Sequence, residues 1–248
     1  MEGFMKILFL ITAITIVFSM FVMAQKSFEE DKIKTSAGDL TITFFGHASL
    51  MFSYDDKVIY FDPISRLADY SKFPKATMIF LTHHHGDHLD PDAIKQIRTD
   101  STVTILTKLC AQQIQGGIIM NNGDTKTIEG IKIEAIPAYN LVHKRDNGEF
   151  YHPKGVGNGY VLTIGDKRFY IAGDTENTPE MKALKNIDYA FLPMNLPYTM
   201  TPEMVADAVR AFKPKVLYPY HYGDTDTSKL VNLLKDDKDT EIRIRNMK

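Results

Sequence analysis

Residues 82–88 read Thr-His-His-His-Gly-Asp-His and directly follow an apolar run, residues 77–81, that is typical of a buried strand. Side chains two apart in an extended loop point the same way, so His83 and His85 can hold one ion while His84 faces away. Asp87 and His88 then turn toward a second position beside the first. Imidazole and carboxylate ligands favour zinc first, then iron or manganese. The spacing therefore predicts a metal centre at the end of this strand.

Two later segments also end a strand with a metal-ligating residue. Residues 168–175 read Arg-Phe-Tyr-Ile-Ala-Gly-Asp-Thr, so that Asp174 follows a strand and a glycine that allows the backbone to turn. Residues 216–223 read Val-Leu-Tyr-Pro-Tyr-His-Tyr-Gly and place His221 after another strand. Three strand ends that each deliver a ligand predict a site along one rim of a sheet.

Together these segments resemble the metallo-β-lactamase superfamily, whose pattern is His-x-His-x-Asp-His, then Gly-Asp-Thr, then a late His. The resemblance covers about residues 38–225 and implies an α/β fold, a four-layer αββα sandwich with a dinuclear site at the sheet edge. Within the superfamily the sequence is similar to lactonase-like and phospholipase-D-like metal-dependent hydrolases. The segments that carry this similarity are Gly46-His47-Ala48-Ser49, Asp62-Pro63, His152-Pro153-Lys154-Gly155 and Tyr220-His221-Tyr222-Gly223.

The resemblance also implies a role for each matching residue. The first metal is bound by His83, His85 and a third His, the second by Asp87, His88 and His221, and Asp174 bridges both. Two divalent ions, Zn²⁺ before Mn²⁺ or Fe²⁺, share a water whose pKa falls toward neutrality, and the resulting hydroxide attacks a carbonyl or phosphoryl centre.

Three residues, Asp87, Asp62 and His47, have expected roles beyond or beside metal binding. Asp87 is the catalytic residue, since it orients the hydroxide or takes its proton. Asp62 either accepts a hydrogen bond from a ligand imidazole or serves only as a turn residue. His47 either contacts the site or packs beside it, and packing is the favoured interpretation.

The third His of the first metal departs from the usual pattern. Many members carry it directly after the strand that corresponds to residues 133–138, where this chain reads Tyr139-Asn140. The following loop offers His143, in a charged stretch typical of an exposed loop tip, and His152, whose neighbour Pro153 stiffens the backbone. We predict that His152 is the ligand. Tyr139 and Lys154 are then expected to contact the substrate. Lys154, with Gly155 and Gly157, would receive an anionic group such as that of a phosphodiester, although a flexible loop is the favoured interpretation of this Lys-Gly stretch.

Net charge and cysteine content restrict the partners and the kinds of site that this chain can have. The 248 residues carry 29 basic and 31 acidic side chains, and this net charge of −2 disfavours a nucleic-acid partner. The single cysteine, Cys110, excludes an intrachain disulfide and a multi-cysteine zinc site. The resemblance implies a hydrolase of a small-molecule ester, lactone or related substrate. A phosphodiesterase or phospholipase-D-like hydrolase is the alternative, and a di-iron or non-enzymatic metal-binding protein is the alternative of another class.

The N-terminus predicts export. Residues 7–23 carry no charge, and small residues at Val22 and Ala24 precede Gln25, which is typical of a cleaved signal peptide over residues 1–24. The chain is then periplasmic or secreted, without stable membrane association. An uncleaved membrane anchor is the alternative. Residues 25–37 are interpreted as a linker or first edge strand, and residues 38–248 as the hydrolase domain.

The remaining pattern places many strands first and then alternates strands with helices. This order predicts two packed sheets with helices outside, as one domain. Helices are expected to begin at Asp90-Pro91, Thr178-Pro179 and Thr201-Pro202, where a capping side chain precedes proline. Further helices are predicted near residues 109–115 and over residues 227–235.

Overall fold

The structure is a computed structural model that describes residues 27–248, so the signal peptide predicted over residues 1–24 lies outside the described residues. In the described part, the first half of the chain forms one seven-stranded sheet whose strands neighbour each other in chain order. They are β1 (Glu29–Thr35), β2 (Gly38–Gly46), β3 (Ser49–Tyr54), β4 (Lys57–Phe61), β5 (Met78–Phe80), β6 (Val103–Leu106) and β7 (Ile118–Ile119).

The second half of the described chain forms a second seven-stranded sheet, again in chain order. In each sheet the first four strands pair antiparallel and the later ones parallel. The strands of the second sheet are β8 (Thr125–Ile128), β9 (Ile131–Ala138), β10 (Gly157–Ile164), β11 (Lys167–Ile171), β12 (Tyr189–Pro193), β13 (Val216–Tyr220) and β14 (Glu241–Ile242).

Alternating side chains on the strands create the layers. On β5, Phe80 packs in the core between the sheets, whereas Ile79 joins an outer cluster with Ile94. On β11, Phe169 meets Phe52 of the opposite sheet, with ring centroids 5.3 Å apart, while Tyr170 faces the helix side. Each sheet is therefore apolar on both faces, and helices cover the outer ones. The four-layer αββα sandwich is confirmed.

Four of the five predicted helices are present in the described chain. The helices are α1 (Pro91–Ile97), α2 (Pro179–Lys182), α3 (Pro202–Phe212) and α4 (Thr227–Leu234). Side-chain oxygens of Asp90, Thr178 and Thr201 accept hydrogen bonds from the first turns of α1, α2 and α3. Between residues 27 and 248, no helix is both long and apolar enough to cross a bilayer.

The helix predicted near residues 109–115 is wrong. This segment makes only one 3₁₀ turn, Cys110–Gln112. The reason is local, because two glycines follow at once and Gly116 adopts a φ of 73°. That left-handed conformation ends a helix rather than extending it.

Residues 29–35 form an edge strand, so the linker interpretation is wrong for this part of residues 25–37. Strand β1 pairs with β2 along its whole length, from Glu29 opposite Phe44 to Thr35 opposite Gly38. One β1 side chain, Ile33, is buried in the core, while its neighbours are polar and reach solvent. A strand with one solvent-facing side and a free edge needs few apolar residues.

Candidate metal centre

Asp62, at the end of β4, fixes the histidine-rich loop that follows β5. Its carboxylate accepts hydrogen bonds from the Thr82 backbone nitrogen at 2.8 Å and the Thr82 hydroxyl at 2.6 Å. It also accepts one from Nδ1 of His88 at 2.7 Å, which is the kind of contact predicted for Asp62. A ring that donates through Nδ1 presents the lone pair of Nε2 on its other side. The hydrogen bond therefore aims Nε2 of His88 into the site.

His83, His85 and His152 form the first imidazole cluster, in which the ligand atoms lie within 4.8 Å of one another. Nε2 of His83 is 3.1 Å from Nδ1 of His85. Asn140 orients the third ring, since its side-chain oxygen accepts hydrogen bonds from the backbone nitrogen of His152 at 2.7 Å and from Nδ1 at 3.0 Å. The amide thus leaves Nε2 of His152 facing the cluster.

The second cluster contains His47, Asp87, His88 and His221. Oδ2 of Asp87 lies 3.1 Å from Nε2 of His47 and 3.7 Å from Nε2 of His221. The rings of His47 and His221 have centroids 3.8 Å apart. His47 therefore contacts the site rather than merely packing beside it. The reason is a left-handed backbone at His47, with φ 52° directly after Gly46, which no sequence pattern reveals.

The carboxylate of Asp174 lies between the two clusters and is 4% exposed. Oδ1 is 3.3 Å from Nε2 of His88. Oδ2 is 3.3 Å from Nε2 of His152 and 3.4 Å from Nε2 of His221. The carboxylate therefore faces both clusters, as a bridging ligand would.

The nitrogen and oxygen atoms that the two clusters and Asp174 bring together are suited to bind a cation. Among the buried side-chain atoms without a hydrogen-bond partner in the described chain are Nε2 of His88, His152 and His221 and Oδ1 of Asp174. A buried polar atom without a partner costs about 1–3 kcal/mol, so such atoms are rare. Here they converge on one place, and imidazole with carboxylate is the donor set that zinc prefers.

Burial sets the protonation of the first cluster. It lowers the pKa of His85 to about 4 and that of His83 well below its ordinary value. Burial raises the pKa of Asp174, but the imidazoles of His221 and His88 outweigh it and hold the pKa well below its usual range. His83 and His85 are therefore neutral at neutral pH and Asp174 is ionised, which are the forms that bind metal.

The protonation of His88 is different. Burial lowers its pKa, but the carboxylates of Asp174 and Asp62 outweigh burial and raise the pKa well above its ordinary value. In the metal-free chain this ring keeps its proton at neutral pH. A cation at Nε2 would take the place of that proton, so metal binding here is linked to proton release.

Comparison with known proteins identifies the family. Residues 41–221 match the family model of the beta-lactamase superfamily domain. The chain belongs to the metallo-β-lactamase superfamily. It is 31% identical over 196 residues to a UPF0173 metal-dependent hydrolase of Methanopyrus kandleri, a match that covers 74% of this chain and 84% of the relative.

Two solved structures are also similar to this metallo-β-lactamase superfamily member. A proposed metal-dependent hydrolase from Parabacteroides distasonis is 50% identical, with a TM-score of 0.85 over 90% of this chain and all of the other. Igni18, a metallo hydrolase from Ignicoccus hospitalis, is 25% identical, with a TM-score of 0.68 over 83% of this chain and 94% of that one. The chain is accordingly a metal-dependent hydrolase.

Two histidines of the described chain, His84 and His143, lie outside both clusters. Nδ1 of His143 is 2.7 Å from Oε1 of Glu176. Its backbone nitrogen, with those of Leu141 and Val142, also donates to the same carboxylate at 2.7–2.8 Å. His84 belongs to neither cluster. The structure thus brings His152 and not His143 to the site, because Glu176 holds His143 aside.

Lys154 and Tyr139, the predicted substrate contacts, do not reach the cavity above the metal-binding residues. Nζ of Lys154 lies 2.7 Å from Oε1 of Glu180 and 4.6 Å from the centre of the Tyr139 ring. The Tyr139 hydroxyl donates to the other oxygen of Glu180 at 2.9 Å. The carboxylate of Glu180 therefore satisfies both groups on the outer side of the loop.

A cavity of about 410 Å³ opens above the two clusters, a volume that suits a small molecule. The sequence did not predict the residues that form the walls of this cavity, because they follow no metal-ligand pattern. It also did not predict that the buried carboxylate of Glu176 binds the backbone of residues 141–143. The one signal for Glu176 was its place directly after Gly-Asp-Thr. The floor consists of His47, His85, Asp87, His152, Asp174 and His221, and the walls of Arg145, Tyr151, Asn195 and Tyr198.

Proposed function

We propose that this metal-dependent hydrolase holds two divalent ions and cleaves a small-molecule ester, lactone or related substrate. The observation that carries the proposal is the position of Asp174, whose carboxylate faces both imidazole clusters: Oδ2 lies near His152 of the first, and Oδ1 and Oδ2 lie near His88 and His221 of the second. The converging buried atoms without partners support it. The small cavity above them supports a small-molecule substrate.

In this proposal each ion takes three residues of its own and shares Asp174. The first ion is held by His83, His85 and His152, and the second by Asp87, His88 and His221. Zinc fits these ligands best, with Mn²⁺ or Fe²⁺ as alternatives. When bound, the two ions would lower the pKa of water toward neutrality and polarise the electrophilic group of the substrate.

Asp87 is the proposed catalytic residue. Burial raises the pKa of its carboxyl, but the imidazoles of His221 and His47 outweigh burial and place the pKa well below its usual range. The carboxylate is therefore ionised at neutral pH, lines the cavity, and offers Oδ2 to orient water or accept its proton. His47, 3.1 Å away, holds this carboxylate in place.

A phosphodiesterase on the same site is the second candidate. The guanidinium of Arg145 lines the cavity and suits a phosphate group. Lys154, which first suggested this activity, is paired with Glu180 and gives it no support.

Metal content and a substrate screen test the proposal together. Protein purified without chelator and supplemented with zinc is expected to contain close to two equivalents by elemental analysis. It is then assayed against lactones, carboxylic esters and phosphodiesters, which separates the two candidate activities. Metal near zero would refute the centre, and one equivalent would refute the shared role of Asp174.

We also propose that the chain is exported and cleaved after Ala24, on the pattern of residues 1–24. N-terminal sequencing of protein from the native host is expected to begin at Gln25. Full-length chain in the membrane fraction would instead favour the uncleaved anchor.

A further inference from the structure

We propose that the cavity selects substrates that carry an anionic group, a carboxylate or a phosphate, and that Arg145 binds this group. The bond to be cleaved would then lie over Asp87 and Asp174 on the floor. The inference rests on the proposed hydrolase function and names its substrate class.

The backbone around Arg145 forms a short hairpin. Lys144 pairs with Phe150, the nitrogen of Arg145 donates to the carbonyl of Glu149 at 2.7 Å, and the nitrogen of Gly148 donates to the carbonyl of Arg145 at 2.9 Å. The carboxylate of Glu176 binds the backbone just before this hairpin, at residues 141–143. Because Glu176 is two residues after Asp174, the hairpin is tied to the floor of the cavity.

Two tyrosines hold the Arg145 side chain against the cavity wall. The guanidinium carbon lies 4.8 Å from the centre of the Tyr151 ring. The Tyr151 ring meets Tyr198 edge-on, with centroids 5.1 Å apart. One guanidinium nitrogen, Nη2, also donates a long hydrogen bond to the Tyr151 carbonyl at 3.5 Å. A guanidinium stacked on an aromatic face keeps its remaining N–H groups available for a planar acceptor.

No carboxylate of the described chain lies within ion-pair distance of Arg145. Two nearby lysines differ from Arg145 in their surroundings. Lys154 is paired with Glu180 at 2.7 Å, and Lys144 lies over the Phe150 ring, 4.7 Å from its centre. Glu149, in the same hairpin, instead accepts a hydrogen bond from the Asn147 side chain. Arg145 is the one arginine or lysine among the described residues that line this cavity. Its charge is therefore available to a ligand.

Matched substrates test the inference on the zinc-loaded full chain. Mono-4-nitrophenyl glutarate carries a free carboxylate, and its methyl ester does not. A third 4-nitrophenyl ester that ends in a phosphate monoester tests the other anion. We expect KM for the better anionic substrate to be about tenfold lower than for the methyl ester, because charge-assisted hydrogen bonds are strong.

The variant Arg145→Gln is expected to abolish this preference by raising KM for the anionic substrate about tenfold, to a value near the KM of the methyl ester. Lys144→Gln is the matched control, because it removes the same charge from the same hairpin but not from the cavity. It should behave as the parent. If Arg145→Gln keeps the preference, or if Lys144→Gln loses it equally, the inference is overturned.

A binding measurement separates this inference from the proposed function. Calorimetry with benzoate and with phenyl phosphate is expected to show about tenfold weaker binding of the preferred anion to Arg145→Gln than to the parent, at equal thermal stability. If the parent hydrolyses none of the esters, the proposed ester hydrolysis fails while calorimetry still decides the role of Arg145. Equal affinities in parent and variant would overturn that role.

Discussion

Asp174 faces both imidazole clusters, with one oxygen toward His88 and the other toward His152 and His221. Replacing it with alanine removes a proposed ligand from both ions. Removing a residue that only hydrogen-bonds to a metal ligand weakens metal binding about 10–100-fold. Asp174 is itself a proposed ligand, so Asp174→Ala is expected to weaken metal binding by about 100-fold or more. Elemental analysis after dialysis measures the loss.

The control for this prediction is His84→Ala. It removes an imidazole from the same loop but from neither cluster, so the metal content should match the parent. Two retained equivalents in Asp174→Ala would contradict the bridging role.

Asp87 has a separate test, because it combines a ligand position with a place on the cavity floor. In Asp87→Asn the shape is kept and the negative charge is lost. We expect the first ion to remain bound and kcat to fall by about 10²–10⁴-fold, the usual contribution of a general base. Metal analysis and steady-state kinetics on one preparation check both parts. Hydrolysis at the parental rate would show that Asp87 has no such role.

At this scale, sequence identifies ligands that are consecutive and misses those that depend on backbone direction. The run from His83 to His88 is visible because its spacing alone brings the side chains together. His47 and Glu176 were not assigned correctly, since their roles depend on a left-handed φ and on a loop more than 30 residues away. The preference for His152 was based on Pro153, whereas the structure orients the ring through Asn140.

Strand β1 is held at its edge by an ion cluster. The carboxylate of Asp31 lies 2.6 Å from Nη2 of Arg245 and accepts a hydrogen bond from the Tyr218 hydroxyl. Removing it leaves a half-buried guanidinium without its partner. Asp31→Ala is therefore expected to lower the free energy of unfolding by about 1–3 kcal/mol in urea titrations. Asp39→Ala, at an exposed position of β2, should change it by less than about 0.5 kcal/mol; equal effects would mean that the cluster contributes nothing specific.

Element prediction succeeded where a strand or helix is buried or capped. The apolar run before the histidine loop and the three capped helices carry strong local signals. Strand β1 carries a weak one, because Ile33 alone points into the core. Strand β7 has only Ile118 and Ile119, both exposed, and its pairing with β6 depends on the rest of the sheet. Such edge strands are determined by neighbours rather than by their own residues.

For the whole molecule, we expect the metal-free protein to lose stability as the pH falls from about 6.5 to 4. Burial lowers the pKa of His85 to about 4 and that of His83 well below its ordinary value. In this window the unfolded chain binds protons that the folded chain does not, so protonation favours unfolding. The raised pKa of His88 does not counteract this loss, because the stability that His88 contributes is fully present below pH 6.5.

Urea titrations of chelator-treated protein at pH 6.5, 5.5 and 4.5 check this dependence. His85→Gln should show a shallower decrease than the parent, since one of the buried imidazoles is gone. A midpoint that stays constant, or rises, between pH 6.5 and 4.5 would contradict the expected protonation.

The order of strands and helices predicted two packed sheets with helices outside, whereas the four-layer αββα sandwich with a site at the sheet edge came from the family resemblance. Local patterns place strands in both halves of the chain, but not the docking that joins them. That docking brings the loop after β5, from one sheet, against Asp174 and His221, from the other. Contacts between residues nearly 90 positions apart have no signature in a single sequence, which explains why the ligands were assigned by resemblance and the cavity walls were not.

The loop between β9 and β10 has a narrow neck. Asn140 and His152 close it through hydrogen bonds in both directions, and Glu176 anchors it immediately beyond. Residues 144–150 project from that neck as a hairpin. A change of length or composition in the hairpin is therefore absorbed above the neck and leaves His152 where it is. In evolutionary terms, substrate preference can drift at the hairpin while the hydrolytic centre stays fixed, and a designer can exchange this hairpin as one module.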